Sequence, residues 1–463
     1  MAGTIGGSIN LTPSSEKSVL PGNYLTASDF DFTNQYLPDL AEQEFARYGD
    51  RSIASFLRQQ GAEMPSTSDL IKWTEEGRLH TKYTSVTAVS ATGGDDSVTF
   101  DIGSDNHVFR AGQTVFISNN AGATSYKGII TDAAPSGDLT RFTVALYNAA
   151  GIDAGDTAAT FTAFVYGSEF RKGTNGMEGS LEAQVDIFEV SPIIIKDKYQ
   201  INGSDMAQIG WVEVETDNGS GYLWYLKSKS ETRKRYEDYL EMSMVEGVPA
   251  ESASGAIASS YKGTEGLFYT INQRGNTWSG GVPDSTDNFD TILDRLDAQG
   301  AIAENTLFIN RAFTLAVDDM LASMNSYGVN GTSYGLFDND ESMALNLGFT
   351  GFRRGSYDFY KTDWKYLNDA TLRGGLTGGK INGVLAPAGT MNVYDQIESK
   401  KMARPFLHVR YRKSETEDRR YKSWLVGGAG GASNSDLDAM DIHFLSERAL
   451  CTLGANNFFL FKA

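Results

Sequence analysis

Cysteine is almost absent from this chain: Cys451 is the single one in 463 residues. No intrachain disulfide can form, and no cysteine-based zinc site can be built. Cys451 sits near Leu450 and Leu453, which predicts a buried thiol rather than a nucleophile. Histidine is nearly as scarce. His80, His107, His408 and His443 are far apart, with no H-E-x-x-H or paired-ligand spacing, and each reads as structural. No apolar run approaches the ~18 residues of a membrane span. The N-terminus has neither the basic start nor the apolar core of a secretory signal. Positive charge is short as well: 40 Lys and Arg stand against 59 Asp and Glu, a net charge of −19. A protein that grips nucleic acid through its phosphates needs a basic surface, so tight binding by the whole surface is not expected.

What the chain does have is a run of helix formers from Tyr222 to Glu246, without Gly or Pro, in a chain that holds 49 glycines. Ser220 is the predicted N-cap and Gly247 the predicted C-terminal stop, with Pro249 beyond. About 25 residues at ~1.5 Å each make a rod of roughly 37 Å. One stripe of it runs Tyr222, Leu226, Lys229, Arg233, Tyr236, Leu240, Met244. Its ends are apolar and its waist, Lys229 and Arg233, is basic. Such a helix packs at both ends and crosses something polar or acidic in the middle.

The length predicts about three domain-sized units at ~150 residues each. The first 40 residues are polar and aperiodic, the pattern of an extended arm that a neighbour must hold in order. Residues 38–60 read as one or two short helices, and 71–86 as strand and turn around Trp73. From Thr84 to Tyr166, short β-rich runs alternate with Gly, Asp and Asn turns at the spacing of a small barrel or sandwich. This block reads as an insertion, because the segments on either side look like two halves of one feature. Residues 167–187 read as a projecting loop, and the chain returns as a strand through Pro192–Ile195. Beyond the long helix the pattern is mixed. Helices are predicted at 289–300, ending at Gly300, and at 311–324. Strands are predicted at 305–310 and 381–385, and the last segments, 441–453 and 456–462, read as a closing hairpin.

Signatures of catalysis are missing. The stretch Gly374 to Lys380 fits G-x-x-x-x-G-K, but Ile381 stands where a hydroxyl must reach Mg²⁺, and a strand rather than a helix is predicted to follow. The Asp338–Glu341 cluster lacks the glycine of a calcium loop and reads as a solvated turn. There is no G-x-S-x-G elbow. Asp318 and Asp319 are adjacent on a helix and point apart. No metal, cofactor or catalytic residue is predicted, and the chain is read as not an enzyme.

The order of pieces carries a resemblance. EFRKGTNGMEGSLEAQVDIFEVSPIIIKDKYQI leads into the long helix. NTLFINRAFTLAVDDML, YKTDWKYLND and GKINGVLAPAGTM follow, and HFLSERALCTLGANNFFLFK closes the chain. This arrangement resembles the major capsid proteins of tailed bacteriophages, the HK97-like or Johnson fold, with closest likeness to the crAss-like and podovirus group. The resemblance implies an α+β fold. Residues 1–70 would be an N-terminal arm. Residues 71–85 and 167–215 would form an extended loop, with 86–166 inserted in it as a small all-β domain that departs from the family's basic pattern. Residues 216–262 and 441–463 would be a peripheral domain with a spine helix, and 263–440 an axial domain. The sequence begins at Met1, so no fused scaffolding segment is expected to have been removed.

The function implied is self-assembly of identical subunits, as pentamers and hexamers, into an icosahedral head around double-stranded DNA. Assembly would take place in the cytoplasm of a host bacterium. DNA would be touched only by weak contacts. Portal, scaffold and decoration proteins are the other partners implied, and no membrane. Candidate anchors on neighbours are Phe30, Phe32, Tyr36, Phe188, Pro192 and Ile193. Arg171, Lys172, Glu178 and Glu182 would set register. The helix waist would meet DNA or, preferably, an acidic neighbour. Two other readings stand beside this one: a nanocompartment shell of the encapsulin kind, and a secreted carbohydrate-binding or glycan-cleaving β protein.

Overall fold

The computed structural model describes residues 56–57, 62–103, 106–122, 124–182, 184–206, 213–216, 219–324, 350–394, 401–428 and 436–463. The chain divides into two compact units. One comprises Met1–Ala54, Lys196–Tyr239 and Ser423–Phe444, and the other Ser55–Ile195, Leu240–Lys422 and Leu445–Ala463. In chain order, β1 (Ala62–Ser66) and β2 (Ile71–Glu76) come first. Then follow β3 (Lys82–Val89), β4 (Ser97–Asp101), β5 (Gln113–Asn119), β6 (Ser125–Asp132), β7 (Arg141–Leu146) and β8 (Thr160–Ser168). Next are β9 (Val185–Val190), β10 (Ile193–Asn202), β11 (Glu213–Thr216), β12 (Gly219–Tyr222) and the 24-residue helix α1 (Leu223–Glu246). After α1 come α2 (Leu267–Arg274), β13 (Asn276–Trp278), α3 (Thr286–Gln299), β14 (Glu304–Ile309), α4 (Arg311–Met324), β15 (Gly351–Arg354), β16 (Tyr357–Asp363) and β17 (Ile381–Pro387). The chain ends through β18 (Thr390–Tyr394), β19 (Lys401–Pro405), β20 (Leu407–Arg412), β21 (Lys422–Gly427), β22 (Ala439–Thr452) and β23 (Phe459–Lys462).

Period-two alternation closes β3-β4-β7-β6-β5-β8 into a barrel. Residues that alternate inward fill it: Val98, Phe100, Val115, Ile117, Phe142, Val144 and Phe161 are all buried. Closure leaves no free strand edge. One end is held by Asp156, whose carboxylate accepts from Asn119 Nδ2 at 2.7 Å, Thr124 Oγ1 at 2.5 Å and Tyr126 Oη at 2.6 Å. These donors hold the Asp156 carboxyl below its ordinary value, although burial opposes them. Burial, and then Asp156, push the Tyr126 phenol up to about 12.

The same unit holds a mixed six-stranded sheet in the order β13-β23-β17-β14-β16-β15. β14 runs parallel to β16 and antiparallel to β17. Every residue of β17 is buried, as its apolar run Val384-Leu385-Ala386 requires, and the buried Asn382 accepts from Asn310 Nδ2 at 3.1 Å. Ser285 caps α3, and Phe289, Ile292 and Leu296 form its buried face. Each of these side chains contributes ~1.5–3 kcal/mol by leaving water, so packing outweighs the cap in holding α3. Gly300, at φ 67°, ends it.

Two expectations about the chain ends of these elements are corrected. The last two strands do not form a hairpin. β22 pairs antiparallel with β20, from Leu407↔Thr452 to Tyr411↔Arg448, whereas β23 runs parallel to β13 and antiparallel to β17. The turn after Thr452 therefore carries the chain from one sheet to another, and residues 459–462 join the sheet built from 276–387. Ser220 is not a helix cap either. It pairs with Glu215 in the β11–β12 hairpin, and α1 starts three residues later. Gly247 does end α1, but it is not among the left-handed glycines. Its role is close approach: an added Cβ would lie 2.7 Å from the Ser243 carbonyl oxygen and 2.8 Å from that of Thr264.

In the other unit, β22 pairs with β10 and with β21. Tyr236 of α1 is fully buried and stacks on Phe444, with ring centroids 5.5 Å apart. Arg235 reaches Asp197 of β10 at 3.3 Å, and Lys198 reaches Asp441 at 3.5 Å.

Candidate interaction surfaces

Two segments more than a hundred residues apart, on either side of the barrel, pair with each other. β2 and β9 form an antiparallel ribbon in register from Ile71↔Val190 to Glu76↔Val185. Alternation gives the ribbon two faces. Ile71, Trp73, Phe188 and Val190 share one, and Ile71 and Val190 pack with Ala449 and Cys451 of β22. Trp73 Nε1 donates to Glu75 Oε1 at 2.9 Å, and the same oxygen accepts from the Gly454 N–H at 3.1 Å. The Arg274 guanidinium, at the end of α2, lies 4.0 Å from the Phe188 ring centroid and 5.7 Å from that of Trp73. It pairs with Glu265 at 3.4 Å. Burial pushes the Glu265 carboxyl up, Arg274 pulls it back down, and Glu189 pushes it up further.

The opposite face is uncovered. Lys72 and Glu189 pair across it at 2.9 Å. Beyond them Ile187 is 66% exposed and Val185 49%. Pro192 and Ile193, where β9 hands over to β10, are half-buried, and the next residue, Ile194, is exposed. The ribbon thus combines an anchored aromatic face with a free one, where Val185 and Ile187 stand among Lys72, Thr74, Glu76 and Glu189. Phe188, expected as an anchor on a neighbour, lies instead on the face that its own chain covers.

The loop after β8 builds a second surface. Glu169 N–H donates to the Gly112 carbonyl at 2.9 Å, and Tyr147 Oη donates to Glu169 Oε2 at 2.5 Å. Phe170 lies against Gly112, where an added Cβ would fall 2.6 Å from the ring and where φ is 87°. Only glycine meets both demands. Thr174 closes a turn on the Arg171 carbonyl, and Arg110 Nη1 holds the Gly179 carbonyl at 2.8 Å. Between this loop and the outside of β6 lies a groove of about 670 Å³. Ile129, Tyr147 and Phe170 line it, with Glu169, Arg171, Asn175 and Glu178 as its polar groups. The structure therefore brings Arg171 and Glu178 together in one groove. Lys172 and Glu182 are exposed outside its lining.

The waist of α1 is exposed at Lys229 and Arg233, and Arg233 pairs with Glu237 on its own helix at 3.2 Å. The buried stripe runs through Thr232, Tyr236, Leu240 and Met244, one residue around from the predicted basic positions. Phe30, Phe32 and Tyr36 lie outside the described residues, as does the acidic turn at 338–341. The glycine loop at 374–380 is followed by β17, not by a helix. Its Arg373 grips the Glu246 carboxylate through two nitrogens and stacks over Phe268 at 5.2 Å. Cys451 is buried, and burial pushes its thiol up to about 12. Among the described residues no three His, Cys, Asp or Glu side chains are placed to hold a metal ion, and no helix is long and apolar enough to cross a membrane.

The stacking of Arg274 on Phe188 and Trp73 escapes sequence reasoning, since those rings are far off in the chain. The Tyr147–Glu169 pair escapes it for the same reason.

No family model matches this chain, and no curated protein matches it. Among solved structures it is similar to a chain of a native GTA particle capsid, at 9% identity and a TM-score of 0.40, over 92% of this chain and 96% of that one. It is similar to a chain from Mycobacterium phage Bobi at 9% identity and a TM-score of 0.38, over 95% and 98%. A chain from Microbacterium phage Oxtober96 gives 9% identity and a TM-score of 0.37, over 91% and 95%. Likeness at that level of superposition decides neither fold nor activity.

Proposed function

We propose that this chain is the major capsid protein of a tailed bacteriophage, with the HK97-like fold, and that it self-associates into a closed icosahedral head around double-stranded DNA. The observation that carries this reading is the β2–β9 ribbon. One face is fastened to its own chain by Ile71, Val190 and the Arg274 clamp. The other offers Val185 and Ile187 to the surroundings. A two-stranded ribbon has marginal stability alone, and its outer face, two exposed aliphatic residues beside the charges of Lys72, Glu76 and Glu189, suits an amphipathic contact with another surface. A second copy of the chain supplies that surface in every subunit of a shell.

Assembly then follows from symmetry. A ribbon laid on the next subunit is a heterologous contact, and such contacts close into rings when the rotation allows. Each contact can be weak, because a subunit makes several at once. The barrel between the two ribbon strands is a domain inserted in the extended loop, decorating the shell or bridging its units. Arg171, Lys172, Glu178 and Glu182 would set register through complementary charge. Pro192 and Ile193 sit where a neighbour would seat the base of the loop, and Phe30, Phe32 and Tyr36 would anchor the arm. The exposed Lys229 and Arg233 would face an acidic neighbour. An acidic chain repels DNA, which suits a container that must not grip its cargo.

Electron microscopy of the purified protein, with its mass in solution, tests the proposal. Closed shells of megadalton mass are expected. A compact, solitary chain at high concentration overturns it.

A further inference from the structure

The outside of the barrel carries more aromatic surface than folding requires. Its interior is already filled by Phe100, Phe142 and Phe161, all fully buried. On the outside, cross-strand register places Phe164 beside Phe116 and Phe116 beside Lys127. Tyr147, whose N–H donates to the Lys127 carbonyl at 2.9 Å, extends the row. The Phe116 and Phe164 rings lie 5.2 Å apart. The Lys127 ammonium sits 5.8 Å from Phe116 and 6.0 Å from Tyr166. Tyr147 and Tyr166 are each half exposed. This aromatic row ends at Tyr147, which is also a wall of the groove under the 169–178 loop.

Three features select what would bind there. The barrel is closed, so every strand beneath the groove is already paired on both sides. A peptide cannot add to it as a strand. The groove holds two carboxylates, Glu169 and Glu178, against one guanidinium, Arg171, and Lys127 stands in the adjoining aromatic row, so the joined surface carries no net charge to favour phosphate, sulfate or carboxylate ligands. Its floor of Ile129, Phe170 and Tyr147 is apolar, yet Glu169, Glu178, Arg171 and Asn175 offer acceptors and donors side by side. A wholly apolar ligand would leave those groups unpaired at a cost. The ligand that fits is long and uncharged, with apolar faces and hydroxyl edges. We propose that the groove and the aromatic row together bind a neutral oligosaccharide. Its C–H faces lie on the tyrosine and phenylalanine rings, and its hydroxyls meet Glu169, Arg171 and Asn175. The groove's size lies within the usual range for ligand sites, ~300–1,000 Å³. The proposal concerns the barrel face alone and stands whether or not the chain builds a shell.

Calorimetric titration of the full-length protein with maltohexaose, cellohexaose and chitohexaose, and with heparin as an anionic control, tests it. Saturable binding of at least one neutral sugar is expected, and none of heparin. The paired change Tyr166→Ala and Arg171→Ala should weaken that binding at least tenfold with the thermal midpoint unchanged. Tyr261→Ala, exposed and outside the barrel, should leave it unaltered. If the double variant unfolds, Asn175→Ala, on an exposed turn, takes its place in the comparison. Absence of binding by all three sugars overturns the proposal. So does binding of heparin alone, or sugar binding that survives the groove substitutions.

Discussion

At the scale of single residues, polar groups in this protein are decided by who surrounds them. Asp156 is buried, yet it stays ionised because three donors meet it. Its lowered pKa fixes the sign of a pH effect. A carboxyl whose folded value lies below its unfolded value of ~3.9 stabilises the fold above that pH, and loses that effect as pH falls through the folded value. Asp156→Asn should therefore destabilise the protein by ~1.5–3 kcal/mol at neutral pH, the scale of hydrogen bonds to a charged group. The gap between variant and parent should shrink in acid below about pH 4. Denaturant unfolding at several pH values checks this, and a gap independent of pH would sink it. Arg274 makes the complementary case. Its charge is shared between the Phe188 ring and Glu265, so a residue that looks merely basic in sequence becomes the clamp on the ribbon.

At the scale of elements, α1 shows how an end is set by crowding rather than by propensity. The helix formers run on to Glu246, and the stop is the close approach of the segment around Gly266, whose N–H donates to the Gly247 carbonyl at 2.9 Å. Gly247→Ala would force a Cβ against two carbonyl oxygens. A loss of ~1–3 kcal/mol is expected, the usual scale of overpacking, read as a lower midpoint in urea. A neutral outcome would mean that the approach relaxes freely. Arg373 and Tyr366 fasten the same end, since both meet the Glu246 carboxylate and Tyr366 Oη does so at 2.6 Å. The barrel is the opposite case: its strands follow directly from alternation, and closure follows from β3 pairing β8.

At the scale of the whole molecule, the ribbon's free face separates folding from association. Ile187→Asp places a charge on a side chain that is already 66% exposed, so the thermal midpoint should hardly move. Assembly should fail, because burying an unpaired carboxylate at every subunit contact costs several kcal/mol. Light scattering and electron microscopy of the variant check both halves. Normal shells from Ile187→Asp would remove the ribbon from any account of assembly. The same substitution made at Trp73, on the anchored face, should instead lower stability.

Much of this protein is written in local pattern. Period-two runs between Thr84 and Tyr166 announce barrel strands, and 3.6-residue periodicity with Ser285 and Gly300 announces α3. An unbroken helix-forming run announces α1, and the apolar neighbourhood of Cys451 announces a buried thiol. These are short-range matters, settled by backbone propensity and by which face must leave water. Partnership over long separations was decided only in three dimensions. Neighbours in sequence led to the expectation of a C-terminal hairpin, whereas β22 pairs with β20 and β23 with β17 and β13, in different sheets. The flanks of the barrel read as halves of one feature, but nothing in the local pattern at 71–76 and 185–190 fixes their register or tells which side of the pair would be covered. The groove over β6 exists only because Phe170 folds back onto a glycine nearly sixty residues earlier. Loop closure over such distances yields no periodic signal, and its energy comes from contacts that form only once the remote segments meet.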